Sequence, residues 1–337
     1  MKKIQALPKK TMVFLGLILV LVGLIIFSFW QNFGLGKTQI YGVTFSKKYA
    51  TELGLDWQKN YLAILYDLKV SHVRLIAYWD EIEKTKDQYD FSELDWQLRQ
   101  ATNAGAKVIL TVGRRTPRWP ECHDPLWLNQ LNNQTINQKQ LDFVKTTILR
   151  YQDQTNVSAW QIENEPMLSV FGQCPTPSLD LLRQEVNLVK SLDKRLVIVT
   201  DSGELGDWQK VAGVADVLGS TMYRIVWNKY FGFWDYFFVP PAFYRYKADL
   251  TQTLHPNLRD VIITELQMEP WTLDGLMINQ SIANQQKSFT LKRFKDNIAY
   301  VKKAGFSQVY LWGVEYWYWQ MQQGYPEYWQ QAKKLWQ

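Results

Sequence analysis

The stretch VSAWQIENEP, residues 157–166, opens as a buried β-strand and closes in Glu163, Asn164, Glu165 and Pro166. Its first half is small, β-branched and aromatic without charge, as a strand covered on both faces requires. A run of this kind should finish in a turn, yet this one delivers two carboxylates and an amide side by side. Chemistry gathered at the C-terminal end of a parallel strand points to a barrel.

The flanking sequence repeats the same rhythm. Strand-like runs occupy residues 40–45, 72–79, 107–113, 157–163, 195–201, 216–223, 259–265 and 307–313. Segments with helical spacing lie between them, at 56–69, 91–106, 139–153, 178–192, 206–214, 243–254 and 287–305. Apolar strands separated by helices specify a parallel sheet with both faces covered. Eight such units predict an α/β fold, a (β/α)₈ TIM barrel. A doubly wound open sheet would usually carry a glycine-rich phosphate turn after its first strand. The corresponding stretch YGVTFSKKYA, residues 41–50, has none.

Ahead of the barrel, Lys2, Lys3, Lys9 and Lys10 precede the uncharged run MVFLGLILVLVGLIIFSFW, residues 12–30. At about 1.5 Å per residue this run is long enough to cross a bilayer core of about 30 Å. It ends in bulky aromatic residues where a protease site would need small ones, which favours an uncleaved transmembrane helix over a removed signal peptide. The lysines would keep the N-terminus cytoplasmic and the body extracytoplasmic; cleavage would give a secreted form. Residues 1–36 then form tail, anchor and short linker, and residues 37–337 the barrel domain. Setting those four lysines aside lowers the formal charge from +6 to +2. So balanced a body gives no electrostatic reason to expect nucleic acid. Outside the membrane disulfides persist. Cys122 and Cys174, the two cysteines, both lie in loop-like segments; they form a bridge or remain two unpaired thiols. Three scattered histidines argue against a histidine-rich metal site.

The predicted strand ends present Arg74 and Trp79, Arg114 and Arg115, Asn164 and Glu165, Asp201, Tyr223, Glu265, and Trp312. Two separated glutamates among aromatic platforms suit cleavage of a glycosidic bond, in which one carboxyl protonates the leaving oxygen and the other meets the sugar cation.

On these motifs the chain resembles the clan A retaining glycoside hydrolases, (β/α)₈ enzymes that include cellulases, β-mannanases, β-xylosidases and β-galactosidases. The resemblance rests on Asn164-Glu165-Pro166 in WQIENEP after the fourth strand and on Glu265 in VIITELQMEPW after the seventh. The second and third units also look similar, through YDFSELD (residues 89–95) and the Pro-Arg-Trp-Pro loop (117–120). The resemblance implies Glu165 as acid/base, Glu265 as nucleophile and Asn164 as partner of the sugar 2-hydroxyl. It also implies Arg74 beside the nucleophile, Tyr223 donating to Glu265, and Trp312 as the floor under the cleaved sugar. No metal or organic cofactor is implied. A histidine that many members carry near the sixth strand has no counterpart in TMYRIVW, residues 221–227. The expected function is a membrane-anchored retaining hydrolase of a β-linked glycan. The alternative is a catalytically inactive carbohydrate-binding barrel at the cell surface.

Other residues invite plainer readings. On a continuous strand Glu163 points to the same side as Glu165, where an ion pair with an arginine inside the barrel is favoured over substrate binding. Asp201 either caps a turn or touches ligand, and Glu269 is a loop residue or at most a subsite contact. Trp119 and Trp127 could line outer subsites, whereas Trp317 and Trp319 could pack on the last helix. The segment from Tyr223 to Tyr246 holds 12 aromatics in 24 residues. It is either a loop folded onto the barrel or a patch that meets the membrane surface or a lipid-linked glycan.

Overall fold

The structure is a computed structural model that describes residues 8–176, 178–228, 230–272 and 276–337. Eight strands close a parallel barrel: β1 (Ile40–Thr44), β2 (His72–Ile76), β3 (Lys107–Val112), β4 (Val157–Ile162), β5 (Leu196–Asp201), β6 (Val217–Met222), β9 (Asp260–Gln267) and β10 (Gln308–Trp312). Between β6 and β9 a short antiparallel hairpin intervenes, formed by β7 (Ile225–Asn228) and β8 (Gly232–Asp235). The aromatic segment after Tyr223 is therefore partly a hairpin, not simply a loop.

Side-chain alternation explains the two layers. Val73, Leu75, Val108, Leu110, Val197, Val199, Leu218, Val309 and Leu311 leave the barrel and join the core beneath the helices. Ile109, Ala159, Ile198, Val217, Ile262 and Tyr310 point inward and plug the bottom of the barrel. Above that plug the barrel strands supply polar residues, Thr44, Arg74, Thr111, Gln161, Thr200 and Thr264, all buried. Each fully buried large apolar side chain is worth about 1.5–3 kcal/mol, so the outer layer supports the polar one.

Helices cover the barrel by the expected amphipathic logic. Helix Leu179–Leu192 buries Leu182, Val186 and Val189 and is capped by Ser178, whose side chain accepts from the Leu181 N–H. The helix expected over 287–305 is Leu291–Ala304, started by the Thr290 cap, and residues 287 and 288 instead close the preceding helix Ile282–Ser288. Helix Lys9–Trp30 is apolar, 22 residues long, and has no buried residue. The segment after it is not a free linker: the Phe33 N–H donates to the Lys303 carbonyl at 2.8 Å.

Candidate active site

Arg74 is the structural centre of the barrel mouth. Its guanidinium, wholly buried, must have its donors satisfied to be tolerated there. Nε donates to Gln161 Oε1 at 2.7 Å, Nη1 to Glu265 Oε1 at 2.8 Å, and Nη2 to Asn164 Oδ1 at 2.7 Å. Because the Asn164 oxygen faces Arg74, its Nδ2 faces away and donates to Glu121 Oε2 at 3.0 Å.

Glu265 reaches this network through an irregularity. β6 and β9 pair as Ser220↔Ile263 and then Thr221↔Glu265, so one extra residue sits in β9. Strand alternation alone would send Glu265 to the side opposite Thr264; the bulge turns it into the mouth. There its Oε2 accepts from the Tyr223 hydroxyl at 3.0 Å, so guanidinium and phenol each hold one oxygen. Burial, and then the charge of Glu265, pushes the Tyr223 phenol well above its ordinary range and keeps it a donor.

β4 ends at Ile162, and Glu163 and Glu165 both take positive φ, 59° and 44°. The expected alternation therefore fails at this point. Glu163 turns out of the barrel, and its oxygens accept the Arg114 and Arg115 backbone N–H groups at 2.6 and 2.8 Å. The expected pairing with an arginine side chain inside the barrel is replaced by this backbone latch. Gly113, with φ 143°, makes room: a Cβ there would lie 2.1 Å from Glu163 Oε1. Behind the latch, burial and then the charge of Glu163 push the Glu185 carboxyl well above the carboxylate range, and Gln140 Nε2 donates to its Oε1 at 2.6 Å.

Glu165 remains in the mouth. Its backbone N–H donates to Thr200 Oγ1 at 2.8 Å, and its Oε1 accepts from Thr221 Oγ1 at 3.3 Å. Thr221 is the register partner of Glu265, so the two carboxyls flank one strand pair. Burial raises the Glu165 pKa well above the carboxylate range, and the charges of Glu265, Glu121 and Asp201 add to it. No cation bonds to it directly among the described residues, unlike Glu265.

The loop after β3 supplies residues that strand-end reasoning missed. Arg118 and Glu121 have positive φ, 84° and 74°, and Cys122 is bonded to Cys174 with Cα atoms 5.3 Å apart. This loop delivers Glu121 to Asn164, where burial pushes its carboxyl up to about 8. It also sandwiches the Arg118 guanidinium between the Tyr49 and Trp312 rings, 3.7 and 3.9 Å from their centroids. Arg118 pairs there with Glu269 and, at 3.0 Å, with Glu315. Trp312, expected as the open floor, thus carries a guanidinium on its face. The unusual proline- and charge-rich run RRTPRWPECHDP, residues 114–125, was the available signal.

Trp79 lies elsewhere. β2 ends at Ile76 and a helical turn begins at Trp79, which is fully buried, stacks on Phe143 and donates Nε1 to Glu83 at 2.7 Å. Its expected place among the sugar-facing aromatics is corrected to a place in the core. Trp127 packs edge-on against it and donates to the Glu83 carbonyl. Asp201 accepts from the Ser202 N–H at 2.8 Å and packs against Gly206, which fits the turn-capping reading. Toward solvent, the rings of Trp119, Phe171, Trp271 and Tyr223 contact one another in sequence and form a wall leading down to Glu265.

These features define the class, a (β/α)₈ barrel with a carboxylate pair at the C-terminal ends of β4 and β9. Solved structures of glycoside hydrolases share the barrel fold. GH5_18 from Streptomyces cattleya, solved with GlcNAc, aligns over 82% of this chain and 70% of its own at TM-score 0.58 and 13% identity. Xylanase 10B from Thermotoga petrophila, solved with xylobiose, aligns over 81% of both chains at TM-score 0.54 and 14% identity. A β-galactosidase from Halorubrum lacusprofundi aligns over 82% of this chain at TM-score 0.54 and 13% identity. The match spans about half of that enzyme's length, 52%. No protein-family model and no curated protein matches the sequence. At these identities the likeness carries the fold.

Proposed function

We propose that the protein is a retaining glycoside hydrolase acting on a β-linked glycan. The observation that carries this reading is the division of labour between two carboxyls. Glu165 sits where burial and neighbouring negative charge retain its proton, while Glu265 holds a guanidinium and a phenol. A general acid beside a positioned nucleophile is the arrangement double displacement needs.

In the first step a Glu265 oxygen bonds to the anomeric carbon as the glycosidic C–O bond breaks, and Glu165 gives its proton to the departing oxygen. In the second, Glu165 takes a proton from water, whose oxygen displaces Glu265 from the sugar. Arg74 positions both Glu265 and the Asn164 amide, and Asn164 Nδ2 is the donor for the sugar 2-hydroxyl once it leaves Glu121. Arg118 must swing off Trp312 to admit a sugar ring. No step calls for a metal or an organic cofactor.

The helix at residues 9–30 is read as an uncleaved anchor, with the N-terminus cytoplasmic and the barrel domain, residues 37–337, outside; its apolar length supports that reading. A second reading, an inactive carbohydrate-binding barrel, is favoured by one observation: Arg118 covers Trp312 and Glu121 occupies Asn164.

A panel of 2-deoxy-2-fluoro aryl β-glycosides separates the two. The hydrolase reading expects a covalent adduct whose peptide mass maps to Glu265, lost in Glu265→Gln, and turnover of ordinary aryl β-glycosides reduced by about 10⁴-fold or more in that variant. Sugar binding by the wild type without adduct or turnover supports the binding protein instead.

A further inference from the structure

The apolar N-terminal helix is seated on the barrel domain. Ser28 and Phe29 in its last turn are half-buried, and the helix packs against helix Pro241–Leu254. The Tyr246 hydroxyl bonds to the Gln31 side chain, and the Phe33 ring meets Tyr246 edge-on at 5.5 Å. Gly34 lies so close to helix Leu291–Ala304 that a Cβ there would fall 1.8 Å from the Lys302 carbonyl oxygen.

The surface around this seat is apolar and aromatic. Helix Pro241–Leu254 exposes Phe243, Tyr246, Leu250 and Leu254, whose spacings of three, four and four put them on one stripe. The chain entering that helix exposes Phe231 (76%), Trp234 (46%), Phe237 (74%) and Phe238 (47%). Tyr246 lies five residues after Pro241, ~7.5 Å along the helix, so the hairpin and the anchor seat share one side of the molecule. Lys302 and Lys303 are exposed beside Phe33. The acids nearby are compensated: Asp249 pairs with Arg245, and Asp235 with Arg293.

We propose that this face is a second, monotopic attachment that lays the barrel domain against the lipid bilayer. The aromatic residues of 231–238 and the stripe of helix Pro241–Leu254 enter the headgroup–acyl boundary, and Lys302 and Lys303 meet anionic headgroups. Continuity with the anchor identifies the occupant, because a helix that enters the membrane at Trp30 brings the bilayer to this face and no other. The hairpin follows directly on Tyr223, which holds Glu265. The seat runs along the flank of the barrel, from the hairpin beyond Tyr223 to Lys302 and Lys303 beside the N-terminal ends of β1 and β10, so attachment lays the barrel on its side against the bilayer. The inference builds on the anchor reading, and its test does not use the anchor.

The barrel closes between residues 40 and 312 and helix Lys9–Trp30 contributes no buried residue, so residues 31–337 fold as a unit. This body is sedimented with vesicles of phosphatidylcholine alone or mixed with phosphatidylglycerol. Binding to the mixed vesicles is expected, weakened at least tenfold by Phe237→Ser with Phe238→Ser. Lys302→Glu with Lys303→Glu should erase the preference for the anionic lipid. A body that stays in the supernatant, or a double serine variant that binds undiminished, overturns the proposal. Turnover of a soluble aryl β-glycoside is measured in parallel. Unchanged turnover in both variants is expected, and if the wild type lacks turnover the hydrolase reading fails while the lipid result stands.

Discussion

The floor and the rim of the barrel mouth are built by different rules. On the floor, Arg74, Asn164 and Glu265 come from strand ends, and each of the three Arg74 nitrogens finds an acceptor within hydrogen-bonding distance. On the rim, the Nε atoms of Arg115 and Arg118 and the Thr116 hydroxyl are buried without a hydrogen-bond partner among the described residues. Positive φ, which β-carbon sterics make uncommon, occurs on both sides of this contrast, at Arg118 and Glu121 and at Glu163 and Glu165. A network whose hydrogen bonds are made resists change, whereas buried polar atoms left without partners weaken the arrangement that holds them. Under the proposed function, the contrast assigns the chemistry to the floor and access to the rim.

The largest effect that tests this contrast is on the floor. Glu165→Gln should lower kcat/KM by about 10²–10⁴-fold for glycosides with poor leaving groups, and far less when the leaving group needs no proton. Because the acid must hold its proton, wild-type activity should decline as pH rises through the raised Glu165 pKa. A pH–rate profile of the glutamine variant should lose that limb; a retained limb moves the acid role to another residue.

On the rim, replacing Cys122 and Cys174 by serine removes a clamp spanning 52 residues. Chain entropy sets the destabilisation at about 4 kcal/mol as an upper estimate, visible as a fall in Tm of several degrees. If access is the rim's role, KM should change more than kcat; a change confined to kcat would merge rim and floor. A smaller effect is expected at Glu121, whose carboxyl shifts from an ordinary 4.5 in the unfolded chain to about 8 when folded. A raised acid contributes stability that is full below the lower value and is lost as pH climbs toward the upper one. Glu121→Gln should therefore flatten the decline in Tm between pH 4.5 and 8. The smallest change in activity, within about twofold, is expected for Trp79→Phe, since that ring is remote from the mouth. Its loss of the Glu83 bond should cost about 1–3 kcal/mol in chemical denaturation.

The same division explains what could be read from the amino-acid order. Strand periodicity placed Arg74, Asn164, Glu165, Tyr223, Glu265 and Trp312 at strand ends, because alternation and chain length are local properties. Glu163 was assigned to the wrong face because its left-handed φ breaks alternation, and nothing in a glutamate announces that conformation. Trp79 was misplaced because β2 stops at Ile76, three residues short of the apolar run's end. Arg118 and Glu121 were invisible as site residues, since their positions follow from a loop path set by Cys174, distant in sequence. The hairpin of β7 and β8 lacked a two-residue glycine turn signal, having Gly232 at the start of its second strand.

The latch formed by Glu163 carries one last consequence. One carboxylate grips the N–H groups of Arg114 and Arg115, where the rim loop departs from β3, and it is anchored one residue before Asn164. Neither contact involves a loop side chain. Residues 116–120 can therefore vary while Glu163 keeps its grip, whereas Glu121 also holds the Asn164 amide. If the proposed function holds, such a fastening lets the loop change what it presents to substrate while the end of β4 stays tied to β3.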